Sequence, residues 1–295
     1  MVRIAIVGDT HIKENSPRSR VDNYFETCLF KIDKLMEVND YLIVLGDFFD
    51  KPSVSIETLN VIIYRLSKYK NRIYSLLGNH DAYYRTMNLD KTALGLLNNI
   101  GIVNLVLNTF KIGKESFDVC SIVPDLKLPE HKSDILLGHF FVDNSLAPKE
   151  SLRVEDLKSY KHVFLGHDHC PYEDIADGDL IIHRNGSLTR IDIQSYNLNR
   201  NLIKYSVIEN GEVKVDYLEV ESTDLIFNKE LLESNKLNSK IKFNFNNLDK
   251  LLKNFENKSD KLEDVRTSKI LKNMEIPDDC YTYLQLIHES EGVLF

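Results

Sequence analysis

Ile4-Ala5-Ile6-Val7-Gly8-Asp9-Thr10-His11 opens the chain with an apolar run that ends in a glycine and then in groups able to do chemistry. The same grammar returns four more times. Leu42-Ile43-Val44-Leu45 leads to Gly46-Asp47-Phe48-Phe49-Asp50, and Leu76-Leu77 leads to Gly78-Asn79-His80-Asp81. Ile135-Leu136-Leu137 leads to Gly138-His139, and Val163-Phe164-Leu165 to Gly166-His167-Asp168-His169. A short β-branched or leucine-rich run bounded by glycine reads as a buried strand closed by a turn. Ligands of open α/β sheets gather at the carboxyl ends of strands, so five such ends predict one shared site.

Between these runs the periodicity changes to that of helices. Phe25, Cys28, Leu29, Ile32, Leu35 and Met36 recur at three- and four-residue steps, as do Ile56, Leu59, Ile62, Ile63 and Leu66. A short helix is expected over 94–99, closed by Gly101. Strands are expected near 102–107, 117–123 and 180–182, and a hairpin joins 202–208 to 212–220 around Asn210-Gly211. The alternation predicts an α/β catalytic domain over residues 1–220 whose sheet is largely covered by helices. From 221 to 295 the texture shifts to Asn, Lys, Leu and Glu, and no motif of this kind recurs. Alternation at 240–245 and the spacing of Leu248, Leu251, Leu252 and Phe255 predict a small α+β appendage. A tail that orders only on a partner is the other reading.

A chain of 295 residues with 43% hydrophobic content can bury a full core. No run approaches the roughly 18 apolar residues that span a bilayer, so no membrane segment is expected. Met1-Val2-Arg3 runs straight into a strand without an apolar leader, which points to a cytoplasmic address. Cys28, Cys120, Cys170 and Cys280 lie far apart with no CxxC, so neither a disulfide framework nor a zinc knuckle is suggested; Cys170 reads as packing. A net charge of −8 argues against coating nucleic acid non-specifically. Two divalent ions would add about four positive charges at one place, so gripping DNA there stays open.

The chemistry follows from the residue types. Asp-x-His and His-x-His place alternate residues leaving a strand on one side, where they can clamp an ion. Phosphate-ester hydrolysis by paired cations needs a bridging carboxylate flanked by imidazoles and amide oxygens. Carboxylate, amide and imidazole are the donor types that the five motifs offer. They suit Mn²⁺, Fe²⁺, Zn²⁺ or Mg²⁺, and no thiolate lies in a ligand position. Each motif alone also reads as an ordinary strand-end turn or a satisfied core histidine; all five in order predict a metal site.

The series D-x-H, G-D-x-x-D, G-N-H-D, G-H and G-H-x-H resembles the calcineurin-like metallophosphoesterase superfamily over residues 1–190. That resemblance implies a sandwich of two mixed β-sheets flanked by helices, and two bound divalent ions, Mn²⁺ first. It implies that Asp9, His11, Asp47 and His169 hold one ion, and Asp47, Asn79, His139 and His167 the other, with Asp47 bridging. His80 would be the catalytic histidine, oriented by a hydrogen bond to the Asp81 carboxylate, with Asp50 and Asp168 standing behind the ligands.

Within the superfamily, Asn15-Ser16-Pro17-Arg18-Ser19-Arg20, the Gly46 to Asp50 motif and Asn185-Gly186-Ser187 resemble SbcD-type nuclease subunits and their phage relatives. Pro52 comes sooner after the second motif than in that family. Lys51-Pro52 after Asp50 departs from the protein-phosphatase form G-D-x-x-D-R-G. The resemblance implies a DNA exo- or endonuclease of repair or recombination, with a coiled-coil ATPase of the SbcC type as partner. Residues 221–295 would then serve as a capping and partner-binding appendage, with a reduced cap around 240–270 and an ATPase-binding tail at 281–295. It also implies a homodimer formed through a helix beside the site, for which 24–36 is the candidate; the domain's own core explains that apolar face equally well. Arg18 and Arg20 would meet DNA phosphates, or else form a solvated basic loop. Two alternatives stand beside this reading: a phosphodiesterase for a cyclic nucleotide or other small ester, and a non-catalytic scaffold. The presence of all seven donors and His80 speaks against the scaffold.

Overall fold

Each apolar run of the sequence forms a strand in the computed structural model, which describes residues 2–233. In chain order the elements begin β1 (Arg3–Val7), α1 (Tyr24–Val38), β2 (Tyr41–Val44), α2 (Ile56–Leu66), β3 (Ile73–Leu76), α3 (Ala93–Asn99) and β4 (Val103–Val106). There follow β5 (Phe110–Ile112), β6 (Glu115–Ser121), β7 (Ile135–His139), β8 (Phe141–Val142), β9 (Ser151–Leu152) and β10 (His162–Gly166). The series closes with β11 (Ile175–Asp177), β12 (Leu180–Arg184), α4 (Ser195–Leu198), β13 (Leu202–Glu209), β14 (Glu212–Glu219) and α5 (Thr223–Ile226). The chain divides into two units, Met1–Asn228 and Lys229–Phe295, and the first is described here. The expected strand at 240–245, the helix at 248–255 and a partner-binding tail at 281–295 lie outside the described residues.

Polar side chains fix where the helices begin. Asn23 accepts from Glu26 N at 3.2 Å, Ser55 from Thr58 N at 3.1 Å and Thr92 from Gly95 N at 3.0 Å. Each cap satisfies one of the N–H groups that a first turn leaves without a partner. Asn210 and Gly211, both at positive φ, turn the β13–β14 hairpin as their sequence demanded.

Twelve of the strands form the two mixed sheets of a sandwich, ordered β14-β13-β1-β2-β3-β4 and β11-β12-β10-β7-β6-β5, and β8 and β9 pair apart from them. In the first, β1 to β4 run parallel and β13 lies antiparallel against β1. The second has a parallel centre, β12-β10-β7-β6, with antiparallel edges. Alternation within each strand divides the core in two. Ile4, Ile6, Ile43 and Leu45 join Leu137 and Phe164 in one cluster, while Ala5, Val7, Leu42 and Val44 join α1, α2 and α3 in the other. Strands buried on both faces are what continuous apolar runs require. The apolar face of α1, including Cys28, Leu29, Ile32 and Leu35, is spent on this core. Among the described residues, no helix is long and apolar enough to cross a membrane.

Arg20, one of the two arginines expected to meet DNA, is buried instead. Its Nε and Nη2 donate to the Asp22 carboxylate at 2.7 and 2.6 Å, and its Nη1 donates to the Arg190 carbonyl at 2.5 Å. The guanidinium lies over the rings of Tyr24 and Phe227. Arg190, fully buried itself, donates to Thr223 Oγ1 at 3.0 Å and to the Glu221 carbonyl. These arginines clip residues 188–228 to the start of α1, and Arg20 has no face left for a phosphate. Arg18 is exposed.

Arg20→Met should therefore lower stability in urea unfolding by about 2–3 kcal/mol, having stranded a half-buried carboxylate and a carbonyl. Arg18→Met should stay within about 0.5 kcal/mol of wild type. Burial disfavours the Asp22 carboxylate, but its bonds from Arg20 and Thr27 outweigh that and hold its pKa below the ordinary value. A depressed carboxyl stabilises fully above the unfolded value, about 4, and loses that contribution as pH falls through the folded one. The gap between wild type and Arg20→Met should accordingly narrow in acid.

Candidate metal centre

The carboxyl ends of β1, β2 and β3 in one sheet meet those of β7 and β10 in the other, and hydrogen bonds stitch the turns together. His11 N and Thr10 N donate to Asp47 O at 2.9 and 3.2 Å, and Thr10 Oγ1 donates to Phe48 O at 2.7 Å. Asp9 accepts His167 N at 3.0 Å, and Asp47 Oδ1 accepts His80 N at 2.8 Å. His11, Asp47 and His167 all adopt positive φ, at 43°, 45° and 74°. Such backbone costs about 1–3 kcal/mol at a non-glycine residue and gathers at functional sites. Gly46 and Gly78 permit the close approach. A Cβ on Gly46, at φ 101°, would lie 2.3 Å from His139 Nδ1, and one on Gly78 2.0 Å from Asp47 Oδ1.

Three overlapping trios of donors result: Asp9, His11 and His169; His11, Asp47 and His80; and Asp47, His139 and His167. His11 Nε2 lies 2.8 Å from His169 Nε2, and His169 Nε2 lies 3.3 Å from Asp9 Oδ2. His139 Nδ1 donates to Leu45 O at 2.7 Å, which leaves Nε2 near Asp47 Oδ2 at 3.5 Å and Asn79 Oδ1 at 3.2 Å. All seven residues expected as ligands are thus brought together.

The electrostatics fit a cation. Asp9, His11, Asp47 and His139 are at most 1% exposed. Burial opposes an imidazolium at His139, yet the Asp47 and Asp9 carboxylates outweigh it and raise that ring to about 9. Asp9 is held below its ordinary value: burial opposes ionisation, and His169 and His139 overcome it. Buried His11 Nδ1 has no hydrogen-bond partner and faces Asp50 Oδ1 at 3.6 Å. Two buried carboxylates with imidazole nitrogens packed at contact distance are a donor set that positive charge would complete.

Asp81 is not where its expected role would put it. Its carboxylate accepts Phe49 N at 2.9 Å, Gly78 N at 3.1 Å and Phe48 N at 3.2 Å, and it does not bond the His80 ring. A buried acceptor is filled first by the three backbone donors folded around it. Burial and the Asp47 charge push the acid up to about 8 against those donors. His80 Nδ1 meets the Asp50 carbonyl instead, at 2.9 Å, and its exposed ring lies edge-on to His11 with centroids 4.8 Å apart. Asp50 also takes Lys13 Nζ at 2.8 Å. Asp168 accepts Cys170 N at 3.1 Å and shapes the turn. Two neighbours escaped the sequence reading: Phe141, whose ring centroid is 4.2 Å from that of His167, and Glu150, whose Oε2 meets His167 Nε2 at 3.1 Å. No pattern around either residue marks it.

The family described as Calcineurin-like phosphoesterase matches residues 2–171. No curated protein sequence matches this chain. Similar solved structures include a conserved uncharacterized protein, a predicted phosphoesterase, from Streptococcus pneumoniae TIGR4, with 13% identity over 74% of this chain and 89% of the other, TM-score 0.37. Vps29 of Entamoeba histolytica, complexed with Zn²⁺, shows 13% identity over 74% of this chain and 99% of its own, TM-score 0.36. NAD nucleotidase of Haemophilus influenzae shows 11% identity over 76% of this chain and 54% of its own, TM-score 0.39.

Gly78→Ala, which drives a methyl into Asp47, should weaken Mn²⁺ binding at least about tenfold by calorimetry. Gly113, also at positive φ but with only Val2 nearby at 3.7 Å, serves as the control. Gly113→Ala should cost about 1 kcal/mol of stability and leave Mn²⁺ affinity unchanged.

Proposed function

This chain belongs to the calcineurin-like phosphoesterase family, and we propose that it is a two-metal phosphodiesterase that cleaves DNA, akin to SbcD-type nuclease subunits. The observation that carries the reading is the convergence of Asp9, His11, Asp47, Asn79, His139, His167 and His169 on one point, with His80 beside them. Asp9, His11, Asp47 and His169 would hold one ion, Asp47, Asn79, His139 and His167 the other, Mn²⁺ being the first choice. Such ions supply Lewis-acid polarisation of phosphoryl oxygens and an acidified water.

The chain's own residues do the rest. His139 is held by the Leu45 carbonyl in the tautomer that directs Nε2 inward. Asp50 backs His11 with its carboxylate and holds His80 with its carbonyl. A proton on His80 Nδ1, directed at that carbonyl, leaves Nε2 as the atom that can take up or release a proton. General-acid assistance to the departing alcohol oxygen is the role we assign to it.

DNA as substrate is supported by the surface next to the fourth residue of the third motif. Tyr83 and Tyr84 follow Asp81 and Ala82 directly, and Tyr84 is 95% exposed. Exposed aromatic rings beside a phosphoester site suit stacking on unpaired bases. Lys13 and Arg18 lie on the segment that follows the first motif. An SbcC-type ATPase partner and a homodimer belong to the same reading. A second reading, hydrolysis of a small diester, is favoured by the net charge of −8 and by the burial of Arg20.

Cleavage of labelled linear and hairpin DNA should be compared with hydrolysis of bis-p-nitrophenyl phosphate, in Mn²⁺ and in EDTA. The DNA reading expects metal-dependent cleavage that falls steeply as salt rises; small-ester turnover indifferent to salt, with DNA left intact, would replace it by the second. His80→Ala should keep both ions while turnover falls about 10²-fold or more, whereas Asp47→Ala should lose metal as well. An empty centre in His80→Ala, by elemental analysis, would make His80 a ligand rather than the acid.

A further inference from the structure

Glu150 reaches the centre from a part of the chain that carries no motif. It closes a short turn (Pro148–Glu150) in the excursion between β8 and β9. That excursion is pinned at its base. Phe141 pairs with Ser151 and Val142 with Leu152, Asp143 N donates to Leu152 O at 2.9 Å, and Asn144 N donates to Ser151 Oγ at 2.9 Å. From there Glu150 Oε2 meets His167 Nε2 at 3.1 Å, while Oε1 is gripped by Arg85 Nη2. Arg85 follows the third motif, and both it and Tyr84 hold left-handed backbone, at φ 56° and 52°.

The carboxylate decides the state of the ring. An ionised carboxylate can only accept, so the Nε2 facing it carries the proton. A neutral His167 then keeps its lone pair on Nδ1. Phe141 packs on the ring and limits its rotation. Glu150 stays outside the trio of Asp47, His139 and His167, so it acts on the centre through the imidazole and not beside it. Carboxylate–histidine pairs of this kind orient metal-binding rings and raise their basicity.

We propose that Glu150, held in place by Arg85, is a positioning residue that fixes the Nδ1-acceptor form of His167 and thereby sets the affinity of one of the two metal positions. The proposal rests on the two-metal reading above. It gives the Arg85–Glu150 ion pair a role in loading one ion and not the other.

The test is Mn²⁺ titration calorimetry on the full chain, with long-range ¹H–¹⁵N NMR of the histidine rings as a readout independent of activity. Glu150→Ala should weaken one class of Mn²⁺ site about tenfold or more and leave the other near its wild-type value. Its His167 should lose the pure Nε2–H form. Glu150→Gln, whose amide oxygen still accepts from Nε2, should recover most of the affinity and the tautomer; Arg85→Ala should fall between the two. Unchanged Mn²⁺ affinities in Glu150→Ala, or an unchanged His167 tautomer, overturn the proposal. Equal weakening of both sites overturns it too, since the effect would then be general. Wild-type protein that binds fewer than two Mn²⁺ ions sinks the two-metal reading, and this role with it; the ring spectra then show whether Glu150 sets the His167 tautomer at all.

Discussion

Two carboxylates buried at most 1% exposed, Asp9 and Asp47, are the constraint around which the first unit is organised. Anions withdrawn from water are tolerated only when hydrogen-bonded and matched by positive charge. Backbone N–H groups answer the first need, from His167 at Asp9 and from His80 at Asp47. Each of those donors belongs to a loop at the end of a different strand. Satisfying the carboxylates therefore brings β1, β2, β3 and β10 to one place, and the imidazoles arrive on the same loops. The sandwich holds its strands parallel where the donors are and antiparallel at the β14, β11 and β5 edges, with the shared carboxyl ends of the parallel strands left for chemistry.

The strand ends were legible because each couples two independent signals, an apolar run and a glycine followed by a polar donor. Residues such as Ile4 and Ala5 are buried on opposite faces, so an unbroken apolar run was the right signature and strict alternation was not. The helices were legible from their apolar periodicity alone; the caps Ser55 and Thr92 that start two of them were not read. Arg20 was misread for a physical reason. A guanidinium next to a metal motif looks like a phosphate contact, and nothing in the local pattern says that Asp22 and two aromatic rings, one of them from residue 227, will enclose it. Asp81 was placed by its neighbour in sequence, whereas its oxygens were claimed by backbone N–H groups of the second motif, at Phe48 and Phe49, and of its own turn, at Gly78.

Glu150 shows the limit more sharply. It touches His167 across 17 residues of chain, in a loop with no periodicity and no flanking glycine. Residues that bind substrate or metal sit on rigid strand ends and leave repeated marks in sequence. Residues that orient them arrive from loops whose only requirement is reach. The family match ends at residue 171 and so spans the donors, but the hydrogen bonds that hold those donors still extend beyond it, as Leu188 N to Asp9 O at 2.8 Å shows.

The pairing of β13 with β1 has a consequence for solubility. β1 is made well before β13 and lies inside its sheet only because Ile4 and Ile6 pair with Ile208 and Ser206, some two hundred residues later. Until that partner arrives, one side of β1 presents a row of open amides and carbonyls next to an almost wholly apolar sequence. Such an edge is a template for another copy of the same strand. The hairpin that carries none of the metal donors is thus the element that keeps newly made chains from pairing with one another.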